Sequence, residues 1–170
     1  MQQIVLVNEN DERIGVMEKM EAHQKALLHR AYSIFIFNNN GELLMQKRSE
    51  NKYHSGGLWT NTCCSHPRPN ETNVHGATRR LKEEMGFTTK MEKAFDFIYK
   101  AEFDNGLTEH EFDHVLIGNY DGKVDPDPNE VAEWKYMSLE DIEKDLEANP
   151  DKYTVWFKIA FPKLLDWMRE

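Results

Sequence analysis

A thiol two residues from an imidazole is the first chemical signal in this sequence, in Thr60-Asn61-Thr62-Cys63-Cys64-Ser65-His66-Pro67. On an extended chain successive side chains point to opposite faces, so Cys64 and His66 share one face and Cys63 takes the other. A thiol beside a histidine can be activated as a thiolate. A lone buried cysteine is a small hydrophobe, the reading that suits Cys63. The second signal is Glu109-His110-Glu111. In a strand its two carboxylates share a face, where they repel unless protonated or bound to a cation. A solvated edge strand explains such a pair equally well. His23, His29 and His66 shift the balance, because imidazoles plus carboxylates without thiolate suit Zn2+, Mn2+ or Mg2+. The spacing of these five residues is too dispersed to diagnose a site by itself. His54, His75, His110 and His114 read as surface or core histidines.

The third signal is Arg79-Arg80-Leu81-Lys82-Glu83-Glu84-Met85-Gly86-Phe87. On a helix Arg79/Glu83 and Arg80/Glu84 stand four apart, as ion pairs worth about a few tenths of a kcal/mol each. Glu71 precedes Arg79 by eight residues. Paired glutamates at a helix end beside a loop can hold Mg2+, which prefers carboxylates plus phosphate oxygens.

These groups need a scaffold. Ile4–Val7 reads as a strand before a polar turn over Asn8–Arg13. Ala31–Phe37 and Glu42–Gln46 form a hairpin signature about Asn38-Asn39-Asn40-Gly41. Lys47–Gly57 is a loop and Leu58–Cys64 another strand. Thr72–Met85 has helical composition and stops at Gly86. Met91–Glu102 and Glu109–Tyr120 are strands joined through Asp104-Asn105-Gly106. After a loop at Asp125–Asn129 come a short strand, Glu133–Met137, and helices over Leu139–Ala148 and Val155–Met168. Strands flanked by helices predict one α/β or α+β domain with a mixed sheet over residues 1–170.

Composition narrows the partners. The chain has 170 residues and a formal net charge of −9, from 21 basic and 30 acidic side chains. With 39% hydrophobic residues and 9 Phe, 6 Tyr and 4 Trp, it is not a disordered chain. No apolar run approaches the roughly 20 residues of a membrane-spanning helix. The start, MQQIVLVNENDE, lacks the pattern of a signal peptide. The acidic balance argues against nucleic acid, and taken naively against any anionic ligand. Adjacent cysteines bridge only with strain, so no disulfide framework exists and a reducing, cytoplasmic location is expected. Oligomeric state is not written in these features.

The helix segment resembles the Nudix box, a glycine, five residues, Glu, seven residues, then Arg-Glu-hydrophobic-x-Glu-Glu-x-Gly-hydrophobic. Glu71, Arg79, Glu83, Glu84 and Gly86 match; Ser65 replaces the first glycine and Arg80 the first glutamate of the Arg-Glu run. That glutamate is a metal ligand in Nudix hydrolases, and its loss argues against ordinary pyrophosphohydrolase chemistry. The larger pattern resembles the type 1 isopentenyl-diphosphate isomerases of the Nudix superfamily, from about Val5 to Trp167. It is carried by Glu18-Lys19 through His23, by His29, by Trp59-Thr60-Asn61 with Cys64 and His66-Pro67, by Arg79-Arg80 and Glu84, by Glu109-x-Glu111, and by Trp156.

The resemblance implies a Nudix-like mixed sheet sandwiched by helices and interconversion of isopentenyl and dimethylallyl diphosphate in isoprenoid synthesis. Hydrolysis of a nucleoside or prenyl diphosphate is the alternative. It implies that His23, His29, His66, Glu109 and Glu111 ligate a divalent ion, Mn2+, Zn2+ or Mg2+. Cys64, Glu111 and Tyr99 would be catalytic. Lys19, Arg48, Lys52 and Arg80 would hold the diphosphate, Glu84 would place a Mg2+ on it, and Trp156 would face the isoprenyl tail. Protonation of an unactivated alkene gives a tertiary carbocation, so the site must be dry. An aromatic face can stabilise that charge by roughly 2 kcal/mol without offering a lone pair. Which of Cys64 and Glu111 protonates and which deprotonates stays open at this level.

Overall fold

The computed structural model describes residues 2–170. Nine strands form one mixed sheet: β1 (Gln3–Val7), β2 (Arg13–Glu18), β3 (His29–Phe37), β4 (Leu43–Arg48), β5 (Trp59–Thr60), β6 (Cys63–Ser65), β7 (Met91–Glu102), β8 (Thr108–Asn119) and β9 (Val131–Met137). Four helices accompany it: α1 (Lys19–Gln24), α2 (Asn73–Met85), α3 (Leu139–Ala148) and α4 (Val155–Arg169). β3 lies at the centre, parallel to β8 from His29↔Glu111 to Phe37↔Asn119, and β8 pairs antiparallel with β7. β4 carries β9 and β5 antiparallel.

Side-chain alternation along the strands makes two cores. Tyr32, Ile34 and Ile36 of β3 join Leu44, Leu116 and Cys63 against Ala77, Leu81 and Met85 of α2. The intervening Phe35 joins Leu43, Met45 and Val115 against Ile142 of α3 and Trp156, Phe157 and Phe161 of α4. Burying each such aromatic or aliphatic side chain contributes roughly 1.5–3 kcal/mol. The sheet is thus covered by α2 on one face and by α3 and α4 on the other. The helix over the box segment has the expected ends. The Thr72 hydroxyl accepts from the His75 N–H, and Gly86 closes the helix at φ 79°, where the Asp125 carbonyl leaves no room for a Cβ.

Three local features differ from the sequence reading. Arg13–Glu18 is a strand and Lys19–Gln24 a short helix. Ile14 and Val16 of that strand face solvent, so its apolar residues mark no core face. The β3–β4 hairpin is paired only at its root, Phe37↔Leu43. Beyond it the strands are split by the segment expected to be one strand over Leu58–Cys64. That segment pairs with β4 as β5, then crosses to β3 as β6. Side chains replace the missing ladder at the crossing. Asn61 Nδ2 donates to the Ile34 carbonyl, and Thr62 Oγ1 donates to the Leu44 carbonyl while accepting from the Ile36 N–H. Buried backbone groups must be paired, and Asn61-Thr62 pairs these. The wedge fixes the strand that carries Cys64.

Candidate active site

The acidic face of β8 is the floor of the site. Glu109 and Glu111 alternate onto one side, and the ladder registers bring their neighbours. Parallel pairing sets His29 beside Glu111, and antiparallel pairing sets Tyr99 opposite it. The last turn of α1 supplies His23, and the chain leaving β6 supplies His66. His23 Nε2 lies 2.8 Å from Glu109 Oε1, and His66 Nε2 lies 2.9 Å from Glu111 Oε2. His29 Nε2 stands between the carboxylates, 3.6 Å from Glu109 Oε2 and 3.3 Å from Glu111 Oε2. One ligand atom each from His23, His29, His66 and Glu109 falls within 4.8 Å of the others.

The hydrogen bonds behind these imidazoles show what the centre suits. His23 Nδ1 is 2.6 Å from the Lys19 carbonyl and His29 Nδ1 is 2.9 Å from the Leu27 carbonyl. A carbonyl only accepts, so each Nδ1 carries a proton, and each Nε2, facing the carboxylates, is the atom that could offer a lone pair to an ion. Lone pair against carboxylate is repulsive unless a cation lies between them. Glu109 Oε2 is also buried with no hydrogen-bond partner among the described residues. The donor set therefore fits a divalent ion. In the ion-free protein a proton takes the cation's part. Burial opposes the charged form of His29, but hydrogen bonds to Glu109 and Glu111 outweigh it and raise its pKa to about 10. Burial pushes Glu109 up, but hydrogen bonds from His23, His29 and His54 prevail and hold its carboxyl well below the usual range.

Tyr99 donates to Glu111 Oε1 at 2.5 Å, and its phenol is held protonated by burial and by the charge of Glu111. Cys64 faces the α4 side of the sheet while Cys63 is buried in the α2 core, as alternation requires. The expected activation of Cys64 by His66 is not what its surroundings provide, since His66 Nε2 is committed to Glu111. Cys64 Sγ instead lies 3.2 Å from Asn61 Oδ1 and 3.5 Å from Ser33 Oγ. Asn61 gives its Nδ2 hydrogens to the Ile34 and Cys63 carbonyls, and Ser33 gives its proton to Asp113 Oδ2 at 2.7 Å. Both neighbours of the sulfur are acceptors. Burial and the nearby Asp113 push the Cys64 thiol up to about 12, so it rests protonated.

Cys64, Glu111, Tyr99 and Trp156 line one inner chamber of about 40 Å3, together with Glu109 and His54. By this measure a water needs about 10–15 Å3, so the chamber has room for only a small group. Arg48, Tyr53, Cys64, Ser65 and His66 are shared between this chamber and a cleft of about 990 Å3. Lys19, Arg48, Lys52, Arg80 and Glu84 line that cleft. Arg48 borders both spaces, its guanidinium 5.1 Å from the Trp156 ring centroid. Burial and the charge of Lys52 pull the Lys19 pKa down, against the opposing charge of Glu109.

The helix ion pairs are present, Arg79–Glu83 at 3.0 Å and Arg80–Glu84 at 2.5 Å. Glu71 is gripped by Arg79 at 2.7 and 2.8 Å, which makes it an anchor for the loop before α2. Two residues of the site were not expected there: Glu130 was not singled out, and His54 was read as a surface or core histidine. Glu130 pairs with Lys52 and, at 3.4 Å, with Arg80. His54 is buried with Nε2 2.7 Å from Glu109 Oε1. An acid two residues after Pro128 and a histidine before Gly56-Gly57 carry no spacing signal of their own, because the loops alone bring them inward. No helix among the described residues is long and apolar enough to cross a membrane.

Comparison with known proteins agrees with this architecture. Residues 27–157 match the NUDIX domain family. The chain is 47% identical over 163 residues to isopentenyl-diphosphate Delta-isomerase 2 of Aromatoleum aromaticum, covering 96% of this chain and 86% of that protein. It is 47% identical over 165 residues to isopentenyl-diphosphate Delta-isomerase of Pectobacterium atrosepticum, covering 97% and 92%. Among solved structures it superposes on DR0079 of Deinococcus radiodurans with a TM-score of 0.72 at 19% identity, covering 87% of this chain and 90% of that one. It superposes on a MutT protein of Methanosarcina mazei with a TM-score of 0.70 at 22% identity, covering 84% and 96%. The structural matches establish the NUDIX fold. With identity near one half along almost the whole sequence, the chain belongs to the isopentenyl-diphosphate Delta-isomerase family within the NUDIX domain proteins.

Proposed function

We propose that this protein interconverts isopentenyl diphosphate and dimethylallyl diphosphate. The observation that carries the reading is one small chamber lined by Cys64, the Tyr99–Glu111 pair and Trp156, beside a cleft whose lining includes Lys19, Arg48, Lys52 and Arg80. In the forward direction the terminal CH2 of the alkene gains a proton, leaving a tertiary cation at the adjacent carbon. The next CH2 along the chain then loses a proton, and its electron pair closes the new double bond. One group must give a proton and a second must take one at a carbon two positions away. Cys64 and Glu111 are the titratable pair for this. Each acts as acid in one direction of the reaction and as base in the other. Tyr99 orients the Glu111 carboxyl and is the proton relay nearest to it.

Buried walls keep water from trapping the cation. The Trp156 ring offers it a π face and no lone pair. Lys19, Arg48, Lys52 and Arg80 hold the diphosphate and so fix the short carbon tail over the acid–base pair. His23, His29, His66, Glu109 and Glu111 would hold one divalent ion, Zn2+, Mn2+ or Mg2+, and Glu84 would help place a Mg2+ on the diphosphate. Such an ion would make the Glu111 carboxyl a stronger acid when it carries a proton. Pyrophosphate-bond hydrolysis is less well supported: Arg80 interrupts the acidic run of α2, standing where Nudix hydrolases carry a metal-ligating glutamate. A substrate in the cytoplasm suits the lack of a disulfide framework. The test is purified protein with isopentenyl diphosphate and Mg2+. An acid-labile allylic diphosphate is the expected product, and phosphate or pyrophosphate release without it overturns the reading.

A further inference from the structure

We propose that His54 is a latch that ties the loop carrying Lys52 to the His/Glu centre, so that filling the centre orders the diphosphate-binding loop. The inference rests on the reading of that centre as a divalent-ion site.

His54 sits in the loop between β4 and β5, which is closed at its base by Gly57 N–H to the Arg48 carbonyl and Arg48 N–H to the Leu58 carbonyl. The loop is tightly wound. Ser55 has φ 55° and Gly57 φ 77°, and a Cβ on Gly56 would lie 2.8 Å from the Glu50 carbonyl. That winding turns His54 inward, where it meets three parts of the site. Its Nε2 lies 2.7 Å from Glu109 Oε1, the oxygen that also faces His23. Its ring stacks on Phe103 at 4.3 Å and 6°, and meets Trp156 edge-on at 5.7 Å. Its carbonyl accepts from Arg48 Nη2 at 3.2 Å.

The hydrogen bonds separate its role from that of the ligands. The Nδ1 atoms of His23 and His29 face carbonyls, which leaves their Nε2 atoms as the ones that could ligate an ion. His54 Nδ1 lies 3.0 Å from the Ser55 hydroxyl, a group that can donate. His54 can then keep its proton on Nε2 and donate it to Glu109. It is a positioning residue acting on a ligand from behind. A Glu109 fixed by an ion presents a fixed acceptor to His54, and a held His54 holds the residues two before it, including Lys52. By linkage the loop and the ion then strengthen one another.

Hydrogen exchange tests this in the full-length protein, ion-free and loaded with Zn2+ or with Mn2+ in separate arms, without substrate. The wild type should gain protection at residues 50–57 on loading. In His54→Ala the metal affinity should fall about tenfold, and at saturating metal the loop amides should exchange as fast as in the ion-free protein. His54→Gln keeps an N–H donor and should recover most of the protection. Its recovery also shows that the alanine variant's loss is not misfolding. Loop protection in saturated His54→Ala equal to wild type overturns the latch. So does wild-type metal binding with no change in the loop. Failure of the wild type to bind either ion overturns the metal-site reading instead, and the latch with it.

Discussion

Tyr99 and Glu111 stand directly opposite one another in the β7–β8 ladder, and the Tyr99 phenol donates to the Glu111 carboxylate at 2.5 Å. The pair is held by backbone register, so removing the hydroxyl leaves both strands in place. Tyr99→Phe should lower kcat by roughly 10²-fold, at the lower end of general acid–base effects, with KM little changed. Steady-state kinetics beside a thermal melt checks this. A matching collapse in Tm would mean that the hydroxyl acts through stability.

Ion binding should depend on pH. In the ion-free protein the His29 pKa is raised to about 10 by Glu109 and Glu111, against the opposing effect of burial. A group whose folded pKa is raised stabilises the fold fully below its unfolded value, about 6.5, and loses that contribution as pH rises through the folded one. The ion-free protein should therefore lose stability between about pH 6.5 and 10. The same proton must leave before an ion enters, so affinity for Zn2+ should increase with pH across that window, with proton release. Calorimetry in two buffers of different ionisation enthalpy measures the release. A proton count of zero would contradict the assignment.

Glu130 pairs with Lys52 and Arg80, two of the cations proposed to hold the diphosphate. Substrate must displace it. Glu130→Gln should tighten inorganic pyrophosphate binding by about threefold, the scale of a single partly exposed ion pair. Competitive inhibition reads this directly. Weaker pyrophosphate binding in the variant would mean that Glu130 supports the anion site instead of competing for it.

Trp156 is packed in α4 and lines the inner chamber. If its π face stabilises the cation by roughly 2 kcal/mol, Trp156→Phe should keep markedly more kcat than Trp156→Ala. Equal losses in the two variants would assign the residue to packing alone.

Much of the scaffold was legible because local signals agreed with the fold. The cap at Thr72 and stop at Gly86 bound α2 as expected, and the turn at Asp104-Asn105-Gly106 joins β7 to β8. The NUDIX fold and the family were carried by motif residues spread along the chain. The wedge at Asn61-Thr62 was not legible, because side chains there stand in for a ladder that only the folded sheet lacks. The thiol state of Cys64 depends on where Asn61 and Ser33 spend their own protons, and spacing does not encode that. His54 and Glu130 were hidden for a related reason: each reaches the site through the conformation of a loop. Net charge misled in a simple way. The −9 of the whole chain describes its surface, while the cleft gathers Lys19, Arg48, Lys52 and Arg80.

In the proposed reaction Cys64 and Glu111 move protons at the two ends of one three-carbon unit. The measurement closest to it is NMR of the product formed from isopentenyl diphosphate in D2O with Mg2+, for wild type, Cys64→Ala and Glu111→Gln. Wild type should yield dimethylallyl diphosphate carrying deuterium in a methyl group. Each variant should lose roughly 10²–10⁴-fold in conversion while still binding pyrophosphate. Undiminished conversion by either variant, or cleavage of the diphosphate with the double bond unmoved, would contradict the account.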